Sequence, residues 1–222
     1  SHFAAYGLAA ILEAELETTV SVGMDSLQSM LVRTDDQREP VQLAGIVREH
    51  AAHRLESWVT HVHDHMGRET GTLSPRIKAP ATQDDWLDLQ AARHSAIDTI
   101  GFGGASRLDQ LLVGALGEPA YWYQDNEGKV QPDRGASGWE MKTRNRGEEF
   151  VQNRLALLCR AVSERSDKEV LAGLTGEKVV DETGKNAVNS RTPTGLSRPG
   201  PTDNAIAWCA LWGISLFPVS HN

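Results

Sequence analysis

The mainly helical fold follows from residues 203–213, Asp-Asn-Ala-Ile-Ala-Trp-Cys-Ala-Leu-Trp-Gly, which are apolar on almost every side of a helix. A helix of that kind has to be buried, so this segment predicts a central closing helix. Trp208 and Trp212 lie four residues apart and supply a large apolar surface to one helix face. The residues that follow, 214–219, read as a short strand.

Most of the chain before this helix also has helical spacing. The opening is Ala-rich and apolar at helical intervals, and a later segment repeats apolar residues every three or four positions. Thr82 with Asp85, and Ser106 with Asp109, are typical of helix starts. The pattern predicts helices over 3–12, 41–66, 82–101, 106–117, 148–162 and 168–174, and a strand over 16–22.

The pattern changes at Pro119. Residues 120–123, Ala-Tyr-Trp-Tyr, are typical of a strand, residues 125–128 of a turn, and Val130 of a returning strand. We therefore predict a mainly α (α+β) fold, with a helical core and a small antiparallel β element near 119–142. One domain is expected, with an N-terminal helical half, 1–117, and a C-terminal half, 118–222, that holds the β element, a basic loop and the closing helix.

Positive charge is concentrated in two stretches of a chain whose formal net charge is -8. Residues 129–165, the basic tract, hold eight Lys and Arg against five acids, which leaves +3. Residues 183–202, the basic loop, hold three cations and no acid, and their Gly, Pro, Ser and Thr content cannot form a core. The remainder is strongly acidic, so these stretches predict contacts with a polyanion such as a phosphate backbone.

Two kinds of side chain in these stretches suit a sugar-phosphate path. Cations can neutralise phosphates, and an indole ring can stack on a base or act as a wedge. The alternative is a charged surface satisfied by neighbouring acids, and composition alone does not separate the two. The candidate nucleic-acid-binding residues are Trp139, Lys142, Arg144, Arg146, Arg154, Lys185, Arg191 and Arg198.

Several other classes of protein find no support in the sequence. There is no membrane-length apolar run and no secretory leader, so we expect a cytoplasmic protein without a membrane partner. Cys159 and Cys209 lie in apolar helical patterns and are expected to be buried thiols. No triad, paired carboxylates or nucleotide-binding loop is readable, so we expect neither an enzyme nor a cofactor.

Histidines are unusually dense between positions 50 and 65. If residues 41–66 form one helix, His61 and His65 share a face in the geometry of a two-histidine metal-ligand pair, whereas His63 points elsewhere. The ordinary interpretation is a solvated helix flank without a metal. The weaker alternative is a metal site that uses His61, His65 and a third ligand.

Both ends of the chain resemble a known family. Residues 2–13, His-Phe-Ala-Ala-Tyr-Gly-Leu-Ala-Ala-Ile-Leu-Glu, resemble the entry helix of type I CRISPR-associated effector subunits. Residues 205–219 resemble the apolar closing element of the type I-G (formerly I-U) subunits, and residues 144–154, Arg-Asn-Arg-Gly-Glu-Glu-Phe-Val-Gln-Asn-Arg, are consistent with this. The resemblance implies a non-catalytic, large-subunit-like component of a CRISPR RNA-guided surveillance complex (Cascade).

A component of that kind has a definite set of partners. The resemblance implies contacts with crRNA, target DNA or both, through backbone charge, together with other CRISPR effector subunits. Two alternatives remain at this point: a metal-dependent hydrolase that uses the histidine cluster, and a helical scaffold whose basic stretches bind an acidic protein.

Overall fold

The computed structural model describes residues 2–74, 82–102, 107–116, 122–124, 130–132, 150–186 and 200–217. The chain divides into two compact units, each built from separate stretches of sequence. The first unit comprises residues 1–53 and 157–217, and the second comprises residues 54–156 and 218–222. Each unit therefore combines residues from both of the predicted halves, 1–117 and 118–222.

The mainly α (α+β) fold class is confirmed, since helices dominate the described residues and the strands form small antiparallel pairs. The α-helices are α1 (His2–Leu16), α2 (Pro40–Leu55), α3 (Gln83–Phe102), α4 (Arg107–Leu116), α5 (Ala156–Ser163), α6 (Asp167–Thr175) and α7 (Asn204–Ser215), and a π-helix spans Val151–Leu155. The paired strands are β1 (Val20–Met24) with β2 (Met30–Thr34), β3 (Val62–Asp64) with β4 (Glu69–Gly71), and β5 (Trp122–Gln124) with β6 (Val130–Pro132).

In the first unit, α1 and α7 pack against each other at very short range. A Cβ placed on Gly7 would overlap the carbonyl oxygen of Cys209, and a Cβ placed on Gly213 would overlap that of Phe3. Glycine at both positions therefore allows backbone to meet backbone. The expected burial of the closing helix is confirmed, but α7 runs on to Ser215, so the strand predicted from 214 is wrong there.

Two indoles and one imidazole form the centre of the first unit. Trp208, Trp212 and His50 are all fully buried. The indole Nε1 of Trp208 donates a hydrogen bond to Nδ1 of His50 at 3.2 Å, and the two indole centroids lie 5.4 Å apart in an edge-to-face arrangement. This hydrogen bond gives the polar Nε1–H group of Trp208 an acceptor inside the core.

The second unit is organised around a buried ion pair. Arg54 donates to both carboxylate oxygens of Asp109 on α4, at 3.2 and 2.9 Å, and Nε1 of Trp58 donates to the same carboxylate at 2.9 Å. Arg54 and Asp109 are 6% and 4% exposed. Three donated hydrogen bonds offset the cost of burying this charge pair.

The helix predicted over 41–66 is wrong beyond Leu55. Two short polar side chains capture backbone carbonyls just after α2 ends: the Ser57 hydroxyl donates to Arg54 O at 3.0 Å and the Thr60 hydroxyl to Leu55 O at 2.8 Å. Such bonds compete with helical ones. Val59, Thr60 and Val62 are also β-branched and favour extended backbone. The chain then forms the β3–β4 hairpin.

Candidate nucleic-acid interface

The basic loop begins and ends on one polar network in the first unit, with Arg165 at its centre. Arg165 lies between α5 and α6 and is 8% exposed. Its guanidinium donates to both Glu182 oxygens at 2.9 and 2.6 Å and to both Asp203 oxygens at 3.0 and 3.1 Å. It also donates to the carbonyl of Val180 at 2.7 Å. One buried side chain thus joins the residues before the loop to those after it.

Electrostatics favour the charged form of this guanidinium. Burial by itself lowers the pKa of Arg165, but the hydrogen bonds to Glu182 and Asp203 outweigh burial and raise that pKa. The ion pair between Arg165 and Glu182 is bidentate and charge-assisted, which is the strongest class of side-chain hydrogen bond in proteins. Arg165 therefore stays charged and hydrogen-bonded to both Glu182 and Asp203.

Asp203 is the residue through which the loop returns to the helical core. It is the N-cap of α7, where its Oδ1 accepts from the backbone N–H of Ala205 at 2.8 Å. Its Oδ2 accepts from the N–H of Val180 at 3.0 Å. The backbone N–H of the next residue, Asn204, donates to Val180 O at 3.1 Å. The segments on either side of the loop are therefore held side by side.

A tight turn over 181–186 carries the chain from this network into the loop. The carboxylate of Asp181 accepts from the N–H of Gly184 at 2.7 Å, and the side-chain oxygen of Asn186 accepts from the N–H of Asp181 at 2.7 Å. Lys185 and Asn186 have φ of 58° and 49°, in the left-handed region. This turn directs Lys185 to solvent, where it is exposed.

Two of the candidate residues lie within the described part of the chain. Lys185 is exposed on the turn just described, and Arg154 is exposed on the π-helix of the second unit. The others lie outside the described residues: Trp139, Lys142, Arg144, Arg146, Arg191 and Arg198.

One cation of the basic tract has a different role from the one that its charge suggests. Arg165 is one of the eight positive charges of the basic tract, yet its guanidinium is buried against Glu182 and Asp203. Charge counting cannot detect this pairing. Two local sequence signals lie next to the paired residues. The Ser166–Glu169 capping box follows Arg165, and Asp203 stands immediately before the apolar α7.

The histidine cluster takes a geometry different from the predicted one. His61 and His65 lie beyond the end of α2, on either side of β3, so they are not neighbours on a helix face. Nδ1 of His61 and Nδ1 of His63 are 2.8 and 3.3 Å from the hydroxyl of Thr72. Among the described residues, no three His, Cys, Asp or Glu side chains are arranged to hold a metal ion.

Both cysteines are buried free thiols, as predicted. Burial raises the pKa of Cys209 to about 12, and the nearby negative charge of Asp203 adds to this effect. The thiol of Cys159 donates to the carbonyl of Ala51 at 2.8 Å. No helix in the described ranges has the length and apolar character needed to cross a membrane.

Comparison with known proteins gives no relative: no family model, no curated protein and no solved structure matches this chain.

Proposed function

We propose that this chain is a non-catalytic subunit of a CRISPR RNA-guided surveillance complex, and that its basic loop contacts the phosphate backbone of guide RNA, target DNA or both. The observation that carries the proposal is the network that joins Val180, Glu182 and Asp203 through buried Arg165. That network holds both ends of the loop on the helical core.

The charges within the loop support a polyanionic partner. Between the fixed ends the sequence places Lys185, Arg191 and Arg198 without an acidic residue. Arg191 comes five residues after Asn186, and Arg198 comes two residues before Gly200. Both ends of the basic loop are held by the Arg165 network. Its cations therefore lose less conformational entropy on binding a nucleic-acid backbone than they would in a loop with free ends.

The acids closest to the loop in sequence have partners of their own. Glu182 accepts from Arg165 and from the side-chain amide of Asn204 at 2.8 Å, and Asp181 accepts from the turn that it closes. Asp203 is 1% exposed. These hydrogen bonds favour contact between the loop cations and an external anion over internal pairing. The exposed Arg154 of the basic tract adds a further phosphate contact.

Purification of the protein with its natural partners tests the proposal. We expect nucleic acid to copurify, and we expect RNase treatment to release other effector subunits. The Arg191→Gln/Arg198→Gln variant should copurify with less nucleic acid than the wild type. The control variant Arg33→Gln, at an exposed position on β2, should copurify with the same amount. A complex free of nucleic acid, whose protein partners remain after both RNase and DNase, would overturn the proposal in favour of a scaffold that binds an acidic protein.

A further inference from the structure

The register of the β1–β2 hairpin decides which of its backbone groups face outward. Hydrogen bonds from Asp25 N to Ser29 O at 3.0 Å, and from Asp35 N to Thr19 O at 3.3 Å, extend the ladder at both ends. In an antiparallel ladder, every second residue bonds to the partner strand and the residues between them point their N–H and C=O groups away from it. The outward-facing groups of β1 therefore belong to Val20, Val22 and Met24.

These groups form the outer edge of β1, which is open toward the tip of the hairpin. Within the part of the chain that the structure describes, the hydrogen bond made to this edge runs from Val20 N–H to Oε1 of Glu13, at 3.3 Å. Val22 and Met24 make no outward hydrogen bond to a described residue. A row of extended backbone donors and acceptors is complementary to another strand, so the edge favours an extended polypeptide as its partner.

β1 also lacks the features that block edge pairing in most sheets. Its sequence, Val-Ser-Val-Gly-Met, holds neither a charged residue nor a proline, and its register with β2 runs without a bulge. The other strand, β2, carries the exposed charge of Arg33. Because charges, prolines and bulges are the usual means of preventing edge-to-edge association, β1 is the edge that remains available.

The tip of the hairpin exposes apolar side chains beside this edge. Val22 is half-buried, whereas Met24, on the same face of the sheet, is 58% exposed. Leu27, in the turn, is 83% exposed. The turn is held by Oδ1 of Asp25, which accepts from the N–H of Leu27 at 2.9 Å and from that of Ser29 at 2.8 Å. A strand added to the edge would cover Met24 with cross-strand contacts.

We infer that β1 pairs with β1 of a second copy of this chain, so that two hairpins form one continuous antiparallel sheet. Antiparallel strands of identical sequence are related by a two-fold axis, which closes the assembly at two copies. The N–H of Val20 is already bound to Glu13. The register that uses the remaining groups pairs Val22 of each copy with Met24 of the other and places the axis at Gly23.

Charge favours a second copy at this edge. The chain has a formal net charge of -8, so two copies repel each other wherever acidic surfaces would meet. Between positions 20 and 32 the one charged residue is Asp25, and its carboxylate accepts from its own turn. Gly23 is exposed, with open space where a Cβ would lie, so no side chain obstructs the axis. Since β1 holds no cation, this pairing needs no nucleic acid and is separate from the proposed function.

Sedimentation equilibrium of nuclease-treated protein, over a wide range of protein concentration, tests this pairing. Wild type should pass from monomer to dimer as the concentration rises. The Met24→Pro variant loses an outward N–H but keeps the ladder within the hairpin, and the axis repeats the loss in both copies. Its dimer should therefore be weaker by about tenfold or more. The matched control is Met30→Pro, the cross-strand counterpart whose N–H faces outward from β2, and it should dimerise like wild type.

A second measurement uses the wild-type protein alone and does not depend on how the variants fold. In hydrogen exchange, the amides of Val22 and Met24 should become more protected as the protein concentration rises. The outward amides of Met30 and Val32 on β2 should not change. A monomer at every concentration would overturn the inference. A dimer that Met24→Pro leaves intact, or that protects the β2 amides in place of those on β1, would overturn it as well.

Discussion

At the residue scale, Asp203 links more of the first unit than its short side chain suggests. Its two oxygens cap α7, accept from the backbone of Val180 and bind Arg165. A Cβ on Gly173 would overlap this carboxylate, so the close approach of Asp203 to α6 depends on that glycine. An Asp just before an apolar helix is typical of an N-cap, which is a local property, whereas the bonds from Asp203 to Val180 and Arg165 span long sequence separations.

Substitution of Gly7 by alanine tests the close approach of α1 and α7. The new Cβ would overlap the backbone carbonyl of Cys209, so we expect the free energy of unfolding to fall by about 1–3 kcal/mol or more. Gly114→Ala is the control, because this exposed position on α4 has open space around a Cβ. There, alanine should raise stability by about 0.5–1 kcal/mol. Urea unfolding measures both, and equal effects would contradict the packing described.

Cys209 should be unreactive in the folded protein. Its thiol is fully buried and its pKa is raised to about 12, so almost no thiolate forms near neutral pH. We expect an aromatic disulfide reagent to label neither Cys209 nor the buried Cys159 in native protein, and to label both in denaturant. Rapid labelling under native conditions would show that α7 is not packed as described.

At the element scale, most helices were predictable because their apolar spacing and caps are local properties. The capping box at the start of α3 is present as predicted: Thr82 Oγ1 accepts from Asp85 N at 3.1 Å, and Asp85 Oδ2 accepts from Thr82 N at 2.9 Å. The error over 56–66 arose because helical apolar spacing continues past Leu55, whereas Ser57 and Thr60 redirect the backbone. The β3–β4 hairpin, which carries His61, His63 and His65, was missed because of that error.

The base of the basic loop should depend on Arg165. Arg165→Ala leaves the buried carboxylate of Asp203 without its charged partner, so we expect unfolding to become easier by about 3–5 kcal/mol. Arg160→Ala, at an exposed position on α5, should change stability by no more than about 0.5 kcal/mol. In hydrogen exchange, the Arg165 variant should lose protection at the amides of Val180 and Asn204. Retained protection there would show that the network does not hold the loop ends.

The β3–β4 hairpin should lose stability in mild acid. The pKa of His63 is lower in the folded state than its ordinary value, so the unfolded chain binds the proton first as pH falls. The contribution of His63 to the free energy of unfolding is therefore constant well above about pH 6.5. It becomes destabilising as the pH drops through that value toward the pKa of His63 in the folded state. Urea midpoints between about pH 8 and about pH 5.5 should fall more for wild type than for His63→Gln. Parallel profiles would contradict the assignment.

At the scale of the whole molecule, the spacing of apolar residues predicted the fold class but not how the chain is divided into compact units. Each compact unit joins distant stretches, residues 1–53 with 157–217 and residues 54–156 with 218–222. Pairings such as Arg165 with Asp203 and Arg54 with Asp109 span long sequence separations, which periodicity does not encode. Likewise, the distribution of charge along the sequence identified two basic stretches. It could not distinguish Arg165, which is buried, from Lys185, which is exposed.

The most direct test of the central claim is the salt dependence of RNA binding by the wild-type protein and by Arg191→Glu/Arg198→Glu, measured for both proteins at the same pH, about 8. If the basic loop contacts phosphates, wild type should bind with a steep negative slope of log affinity against log salt, and reversal of two charges should weaken binding and flatten the slope by about 1.4. Equal slopes for the two proteins would contradict the claim that this loop binds a nucleic-acid backbone.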